Sequence, residues 1–362
     1  MKKLFYYMAL TLGMAVCMTG FTSCSDDDDQ PQIATFSLDM ASLDPQYVDQ
    51  ENNCITITEG ESAEMIFVVE PAEFAKQIVL TSADESICAV DGLKLVAKKA
   101  GTVKITATAG GKSVSFDVVV NKTPIDLSKL TGDYVTQDGD VLTGTLNGET
   151  QPYKISIADS ATITLKDLTI NGVNSRSYQW AGITCEGDAT IVLKGDNTVK
   201  AFYEDYPGIF AAEKKTLTIK GTGSLAASSD YAAGIGCGYQ MYCGNIVIEG
   251  GIITATGGRK SAGIGSCNRA ACGNITISGG TITATGGELS AGIGCGYNGW
   301  LDGTITITDG VTKVTATKGK DAPYSIGESY SGNFFTMTII IGGVEYPNSI
   351  SESPFTYEPG KK

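Results

Sequence analysis

Aromatic, amide and basic side chains recur at regular intervals in the second half of this 362-residue chain. They follow or flank a repeated Ala-Gly-Ile-Gly segment that begins at Ala233, Ala262 and Ala291. Aromatic rings stack on the apolar C–H faces of sugar rings, amides hydrogen-bond hydroxyl groups, and cations offset carboxylate charge. The pattern therefore predicts a polysaccharide-binding surface of ten residues: Tyr239, Tyr242, Tyr297, Trp300, Tyr330, Asn268, Asn298, Arg259, Lys260 and Arg269.

The glycines of the repeated segment form the second part of this predicted surface. Gly234, Gly263 and Gly292, with the glycines two positions after them, should leave the outer side of three successive strands without side chains. A flat polymer could then approach the backbone closely. The same pattern also fits glycines at a tight corner whose turns are sealed by the aromatic residues, and the sequence leaves both interpretations open.

The cysteines fall into two sets according to their position in the repeat. Cys243 and Cys272 occupy equivalent turns 29 residues apart, which predicts either a disulfide between adjacent coils or two stacked free thiols. Cys185, Cys237 and Cys295 each follow a repeated isoleucine by two residues, so alternation points them into the core. The chain has no CxxC motif and no histidine, so we expect no zinc site.

Composition excludes several functional classes. Without histidine the chain cannot form a Ser-His-Asp or Cys-His nucleophile system. Acidic residues outnumber basic ones by 40 to 26, which argues against a nucleic-acid partner. β-Helical polysaccharide lyases use clustered acids with Arg or Lys, but no pair of acids recurs at one position of the repeat. Solvated loop charges are the simpler interpretation.

Isoleucines mark a repeat that must position these side chains. Ile157, Ile183, Ile209, Ile235, Ile264, Ile293 and Ile326, called here the repeat isoleucines, are separated by 26, 26, 26, 29, 29 and 33 residues. Each unit holds three short strands with alternating apolar residues, separated by turns of Gly, Asn and Asp. Such a unit cannot bury its apolar face alone, whereas stacked units can. The sequence predicts a single-stranded parallel β-helix with three strands per coil, which we expect to be right-handed.

Two segments carry a resemblance to known proteins in this region. "ATITLKDLTING" and "AGITCEGDATIVLKGDNTVKAF", with the "AGIG…CGNI" units, resemble the carbohydrate-binding β-helix family of Bacteroidetes and Clostridia. This resemblance implies binding of acidic plant-type polysaccharides, sometimes with calcium as cofactor. No individual calcium ligand is implied.

Residues 33–121 contain short alternating runs separated by turns, the pattern of an antiparallel sandwich. "VEPAEF", "TSADESICAVDG" and "KKAGTVKITATAGG" resemble the bacterial Ig-like domains of surface adhesins. The resemblance implies a spacer that projects another domain.

The N-terminus reads as an export signal. A basic start at Lys2 and Lys3 and an apolar run from Leu4 to Thr19 precede Cys24, followed by Asp26 to Asp29. This resembles the lipobox of bacterial lipoproteins and the acidic tag of lipoproteins exposed on the outer cell surface. The resemblance implies lipidation at Cys24 and anchoring in the outer membrane.

The expected protein is all-β and divides into six parts: a signal peptide (1–23), a lipidated acidic tether (24–32), an Ig-like sandwich (33–121), a connector with the β-helix cap (122–150), the β-helix repeats (151–332) and a last coil with the C-terminal cap (333–362). We expect a non-catalytic surface lipoprotein whose β-helix binds plant or host polysaccharide, with uronate-containing glycans as the favoured class. A structural or adhesive protein without a ligand site is the first alternative, and a β-helix polysaccharide lyase is the second.

Overall fold

The computed structural model describes residues 32–50, 52–329, 337–347 and 349–361. The predicted signal peptide, Cys24, most of the tether and Tyr330 lie outside these ranges. The described helices are short 3₁₀ turns at Pro45–Tyr47, Ala72–Gln77 and Leu127–Lys129. None of the helices in the described ranges is long and apolar enough to span a membrane.

The N-terminal unit consists of short strands in three sheets. Its five-stranded sheet contains Val48–Asp49, Cys54–Thr58, Lys112–Asn121, Gly101–Ala109 and Val79–Ser82. A three-stranded sheet contains Ser62–Glu64, Lys94–Ala97 and Cys88–Asp91, and a two-stranded sheet contains Thr35–Leu38 and Phe67–Glu70. Alternation places Ile55, Leu95 and Ile105 in a common buried core. The all-β prediction is confirmed here, while the Ig-like sandwich stays a prediction.

Residues beyond this unit form a parallel β-solenoid with three stacks of strands. The first stack contains Tyr134–Thr136, Ile155–Ile157, Ile183–Cys185, Ile209–Phe210, Ile235–Gly236, Ile264–Gly265, Ile293–Gly294 and Ile326–Gly327. The second contains Val141–Asn147, Ala161–Asn171, Ala189–Lys194, Thr216–Gly221, Asn245–Ile248, Ile275–Ile277, Thr304–Ile307 and Thr338–Ile341. The third contains Asp196–Lys200, Ser224–Ser228, Ile252–Thr256, Thr281–Thr285 and Lys313–Thr317. The predicted parallel β-helix is therefore confirmed.

Alternation within each strand separates the core from the surface. Ile246, Ile275 and Ile305 pair in register on adjacent coils and are fully buried. Their outward neighbours include Thr276, which pairs with Thr306 on the next coil. A continuous column of isoleucine, leucine and valine thus fills the solenoid, and each coil depends on its neighbours to bury that column.

Short strands cover the ends of the solenoid and one of its corners. Ile125–Asp126 pairs in parallel with Val141–Asn147 near the first coil. Val344–Tyr346 and Phe355–Tyr357 pair antiparallel with strands of the last coils and interrupt the parallel stacking. At the corner between the first and second stacks, Ala271–Cys272 pairs in parallel with Trp300–Leu301. The corner pairing holds together the turns that carry Tyr242, Asn298 and Trp300.

Candidate functional site

The glycines of the repeated segment are buried and do not form a bare outer surface. A Cβ atom added at Gly234, Gly263 or Gly292 would lie 2.6–2.9 Å from backbone atoms of neighbouring strands. These glycines pack against the ends of the third-stack strands, where a side chain would collide with main chain. The prediction of an exposed glycine face is wrong, and the tight-corner interpretation describes these residues.

One group of predicted site residues assembles around Tyr297. The ammonium of Lys260 lies 4.8 Å from the centre of the Tyr297 ring, a cation–π contact. The Tyr297 amide donates to the carbonyl of Lys260 at 3.1 Å, and its carbonyl accepts from the amide of Arg269 at 3.2 Å. Arg259 pairs with Glu288, with Nε and Oε2 separated by 3.3 Å. The ammonium of Lys260 therefore lies beside an aromatic ring, whereas Arg269 meets Tyr297 through its backbone amide and Arg259 is paired with Glu288.

A second group lies at the corner between the first and second stacks. The rings of Tyr242 and Trp300 are 5.9 Å apart at an angle of 75°. They meet because Tyr242 pairs with Ala271, which in turn pairs with Trp300 on the next coil. Tyr242 is 53% exposed, so the pair presents an aromatic surface to solvent. Asn298 lies two residues before Trp300 in a left-handed backbone conformation, φ 53°.

A third group contains Asn268 and Tyr239, which the structure places on either side of Tyr231. The Nδ2 atom of Asn268 donates to the Tyr231 hydroxyl at 2.8 Å. The Tyr231 and Tyr239 rings are nearly perpendicular, with centres 5.8 Å apart. Asn268 is only 6% exposed, and its Oδ1 atom has no hydrogen-bond partner among the described residues. A buried carbonyl oxygen left unpaired is costly, so this position favours a hydrogen-bond donor.

Asp205 lies at the centre of a group whose members, apart from Asn268, are not part of the predicted surface. Burial, together with the charge of Glu204, raises the pKa of Asp205 above its ordinary value, while a hydrogen bond from Tyr203 acts in the opposite direction. Burial raises the pKa of Tyr206 and Tyr231, and the charge of Asp205 adds to both effects. A half-buried carboxylate thus faces several phenols. We call Asp205, Tyr203, Tyr206, Tyr231 and Asn268 the Asp205 cluster.

Further aromatic residues extend this edge toward the N-terminal coils. The Tyr178 and Trp180 rings are 5.4 Å apart, and Trp180 lies 5.7 Å from the ring of Phe202. The buried indole Nε1 of Trp180 has no hydrogen-bond partner within the part of the chain that the structure describes. Arg176 donates from Nε to the Tyr203 hydroxyl at 3.3 Å.

A sequence signal for these residues exists. Trp180 and Tyr206 each precede a repeat isoleucine by three residues, and Tyr231 precedes one by four. The predicted surface took Arg259 and Lys260 from the turns before the repeat isoleucines, but all of its aromatic residues from the turns after them. Because the first-stack strands are so short, the turns on both sides of each strand lie on one edge of the solenoid.

The cysteine pairing differs from the prediction. Cys243 forms a disulfide with Cys237, with α-carbons 5.3 Å apart, and Cys272 is a free thiol. Neither a Cys243–Cys272 disulfide nor a pair of stacked free thiols is present. The prediction treated Cys237 only as a core residue of its strand, although the five-residue turn 238–242 brings Cys243 back to it. Cys185 and Cys295 are buried and free, as expected.

Within the described ranges, carboxylates do not gather into a calcium-binding group. Among the described residues, the one cluster of three or more Cys, Asp or Glu side chains close enough to hold an ion consists of Cys237, Cys243 and Cys272. Calcium binds through several oxygen ligands, so the described residues offer no preformed calcium site.

Comparison with known proteins identifies the repeat. A family model described as "Beta helix repeat" matches residues 217–239, 246–266 and 275–297. No curated protein and no solved structure shows significant similarity to the chain. The match and the stacked strands together show a parallel β-helix repeat protein, a fold shared by enzymes such as lyases and by proteins without catalytic activity.

Proposed function

We propose that this parallel β-helix repeat protein binds polysaccharide along the edge formed by the turns of its first stack. One observation supports the proposal above all others. In the Asp205 cluster a half-buried carboxylate, several phenols and the unpaired Oδ1 of Asn268 converge on the same edge. Ligand sites typically combine such aromatic walls with a few polar groups that fix orientation.

The chemistry of the edge suits a sugar polymer. Aromatic faces stack on the C–H faces of sugar rings, and Asp205 and Asn268 can accept hydrogen bonds from hydroxyl groups. Lys260 places positive charge near Tyr297, where a uronate carboxylate would be stabilised. The favoured ligand is therefore a uronate-containing polysaccharide whose carboxylates lie toward Tyr297 and whose hydroxyls lie toward Asp205.

The direction of the polymer follows from the stacking. Asp205, Tyr231 and Lys260 lie in the turns before three successive first-stack strands. Adjacent coils are about 4.8 Å apart, so these residues span about 10 Å along the solenoid axis. An extended chain lying parallel to the axis would contact all three turns.

Binding to polygalacturonate tests this proposal. We expect the full chain to bind it, with the same affinity in calcium and in a chelator, and Tyr206→Ala to weaken binding about tenfold through loss of ring stacking. Tyr346→Ala removes a tyrosine from the terminal hairpin and serves as the matched control. Full binding by Tyr206→Ala and by Tyr297→Ala would contradict the proposed edge, and release of unsaturated uronates would contradict a non-catalytic role.

The pH dependence of binding isolates the contribution of Asp205. Because its pKa is raised, Asp205 takes up a proton at a higher pH than an ordinary aspartate, whose pKa is about 3.9. Protonation removes a charged acceptor, so affinity should fall as the pH decreases through that raised pKa. Asp205→Asn should bind more weakly at neutral pH and lose this part of the pH dependence.

We propose further that the protein is a surface lipoprotein attached through Cys24 and projected by the N-terminal unit as an Ig-like spacer. The export signal, the cysteine and the acidic residues after it support this attachment. Metabolic labelling with a fatty acid should mark the wild-type chain and not Cys24→Ala. Retention of the label in that variant would exclude Cys24 as the attachment site.

A further inference from the structure

Three cysteine sulfur atoms converge inside one corner of the solenoid. Cys237 directly follows the first-stack strand Ile235–Gly236, Cys243 ends the turn after it, and Cys272 occupies the equivalent position on the next coil. All three side chains are buried, with no more than 6% exposed, and their Sγ atoms lie within 4.8 Å of one another. A disulfide uses only two of these atoms, which leaves the third beside it.

We propose that the reduced form of this corner binds a thiophilic metal ion through Cys237, Cys243 and Cys272. Thiolate ligands select soft ions such as Cu(I), Zn²⁺ and Cd²⁺. Zinc–sulfur bonds of about 2.3 Å at tetrahedral angles separate the sulfurs by about 3.8 Å. The observed grouping therefore brings three ligands to coordination range with small side-chain adjustments. This inference is independent of the proposed glycan binding.

The corner also has a route for the ion. A cavity of about 210 Å³ opens at the surface and is lined by both Cys243 and Cys272. Glu213, Lys214 and Asp302 line the same cavity, so ions can approach through a polar opening. A tetrahedral ion held by three sulfurs keeps one position for water or another ligand, as catalytic and transport zinc sites commonly do.

The disulfide is the oxidised, metal-free form of the site. A phosphine or dithiol reductant supplies two electrons, and two protons from solvent complete the thiols of Cys237 and Cys243. Binding of a divalent ion then releases the three thiol protons and forms three metal–sulfur bonds, leaving a net charge of −1. Reoxidation of Cys237 and Cys243 removes two ligands and should expel the ion.

Cadmium titration of the reduced full chain tests the site, because cadmium–thiolate bonds absorb in the ultraviolet. We expect one equivalent to bind with this absorption, no absorption in the unreduced protein, and an affinity at least about 100-fold lower in Cys272→Ser. Cys185→Ser, which changes a buried thiol elsewhere in the core, is the matched control. Equal cadmium affinity in Cys272→Ser and Cys185→Ser would overturn the proposal.

A second measurement on the wild-type protein covers the case in which Cys272→Ser fails to fold. The reduced chain is alkylated under non-denaturing conditions with and without cadmium, and the extent of alkylation at each cysteine is measured by peptide mass spectrometry. Cadmium should slow alkylation of Cys237, Cys243 and Cys272 together, while the rate at the half-buried Cys54 stays unchanged. Protection that is absent, or that falls on Cys54 instead, would contradict the site.

Discussion

Gly265→Ala should destabilise the solenoid by about 4 kcal/mol or more, through both strain and collision. Gly265 has φ +129°, in a region that residues with side chains rarely adopt, which costs about 1–3 kcal/mol. Its missing Cβ would also lie well inside van der Waals contact of the carbonyl oxygen of Gly294 on the next coil. Overpacking of this kind costs about 1–3 kcal/mol more, because the obstacle is backbone and cannot rotate away.

Two other glycines separate the effect of backbone strain from the effect of steric collision. Gly343 has φ +75° but no atom within 4 Å of its Cβ position, so Gly343→Ala tests strain without collision. Gly132 has open space and no positive φ, so Gly132→Ala should be neutral or slightly stabilising. Urea unfolding of the three variants should rank Gly265→Ala as the least stable, then Gly343→Ala, then Gly132→Ala. A Gly265→Ala variant as stable as Gly343→Ala would show that the coils can separate to admit a methyl group.

The same glycines explain what the sequence could and could not predict about the fold. The period of the repeat isoleucines and the alternation within each strand were sufficient for a parallel β-helix, because burial of one face dictates both. The direction in which a Cβ atom at each glycine would point was not predictable in this way. A glycine has no side chain to sort by polarity, and Gly236, Gly265 and Gly294 share positive φ values that direct the Cβ position along the axis instead of outward.

The candidate site was predictable only in part, for a related reason. Pairs at equivalent positions of adjacent coils, such as Tyr242 and Ala271, follow directly from the repeat. Contacts between the turn before a strand and the turn after it do not, because they depend on how sharply the chain bends at each corner. Asp205 with Tyr239 is a contact of this second kind, and the Cys237–Cys243 disulfide likewise depends on how sharply a single turn bends.

Asn197→Asp should destabilise the solenoid by about 4 kcal/mol at pH 7 and by much less in acid. Asn197 is 2% exposed. Its Oδ1 accepts from the amide of Leu168 at 3.1 Å, and its Nδ2 donates to the carbonyls of Lys194 and Ser224 at 3.1 and 3.0 Å. A carboxylate would therefore turn an acceptor toward carbonyl oxygens in a buried site, where charge is also poorly solvated.

The sign of the pH dependence follows from these contacts. Burial and the facing carbonyls raise the pKa of the introduced aspartate in the folded state, so folding favours its protonated form. Keeping it protonated at pH 7 costs about 4 kcal/mol, since its ordinary pKa is about 3.9 and one pKa unit corresponds to about 1.4 kcal/mol. The variant should therefore regain stability as the pH falls toward 4 and lose it as the pH rises.

Chemical unfolding at pH 4 and pH 7 measures this difference against two controls. Asn197→Ala removes the hydrogen bonds without adding a charge, so it should cost about 2–4 kcal/mol at both pH values. Asn274→Asp introduces the same carboxylate at an exposed asparagine whose Oδ1 accepts from the Thr304 amide at 2.8 Å, an interaction that the carboxylate retains. The variant loses the hydrogen bond from Nδ2 to Oδ1 of Asn245 (3.2 Å), but this bond is exposed to solvent, so its loss costs little. Asn274→Asp should thus stay near wild-type stability. Equal destabilisation of Asn197→Asp at both pH values would mean that the introduced carboxylate reaches solvent. The hydrogen bonds of Asn197 to Leu168 and Ser224 on the two adjacent coils would then not hold this side chain in a buried position.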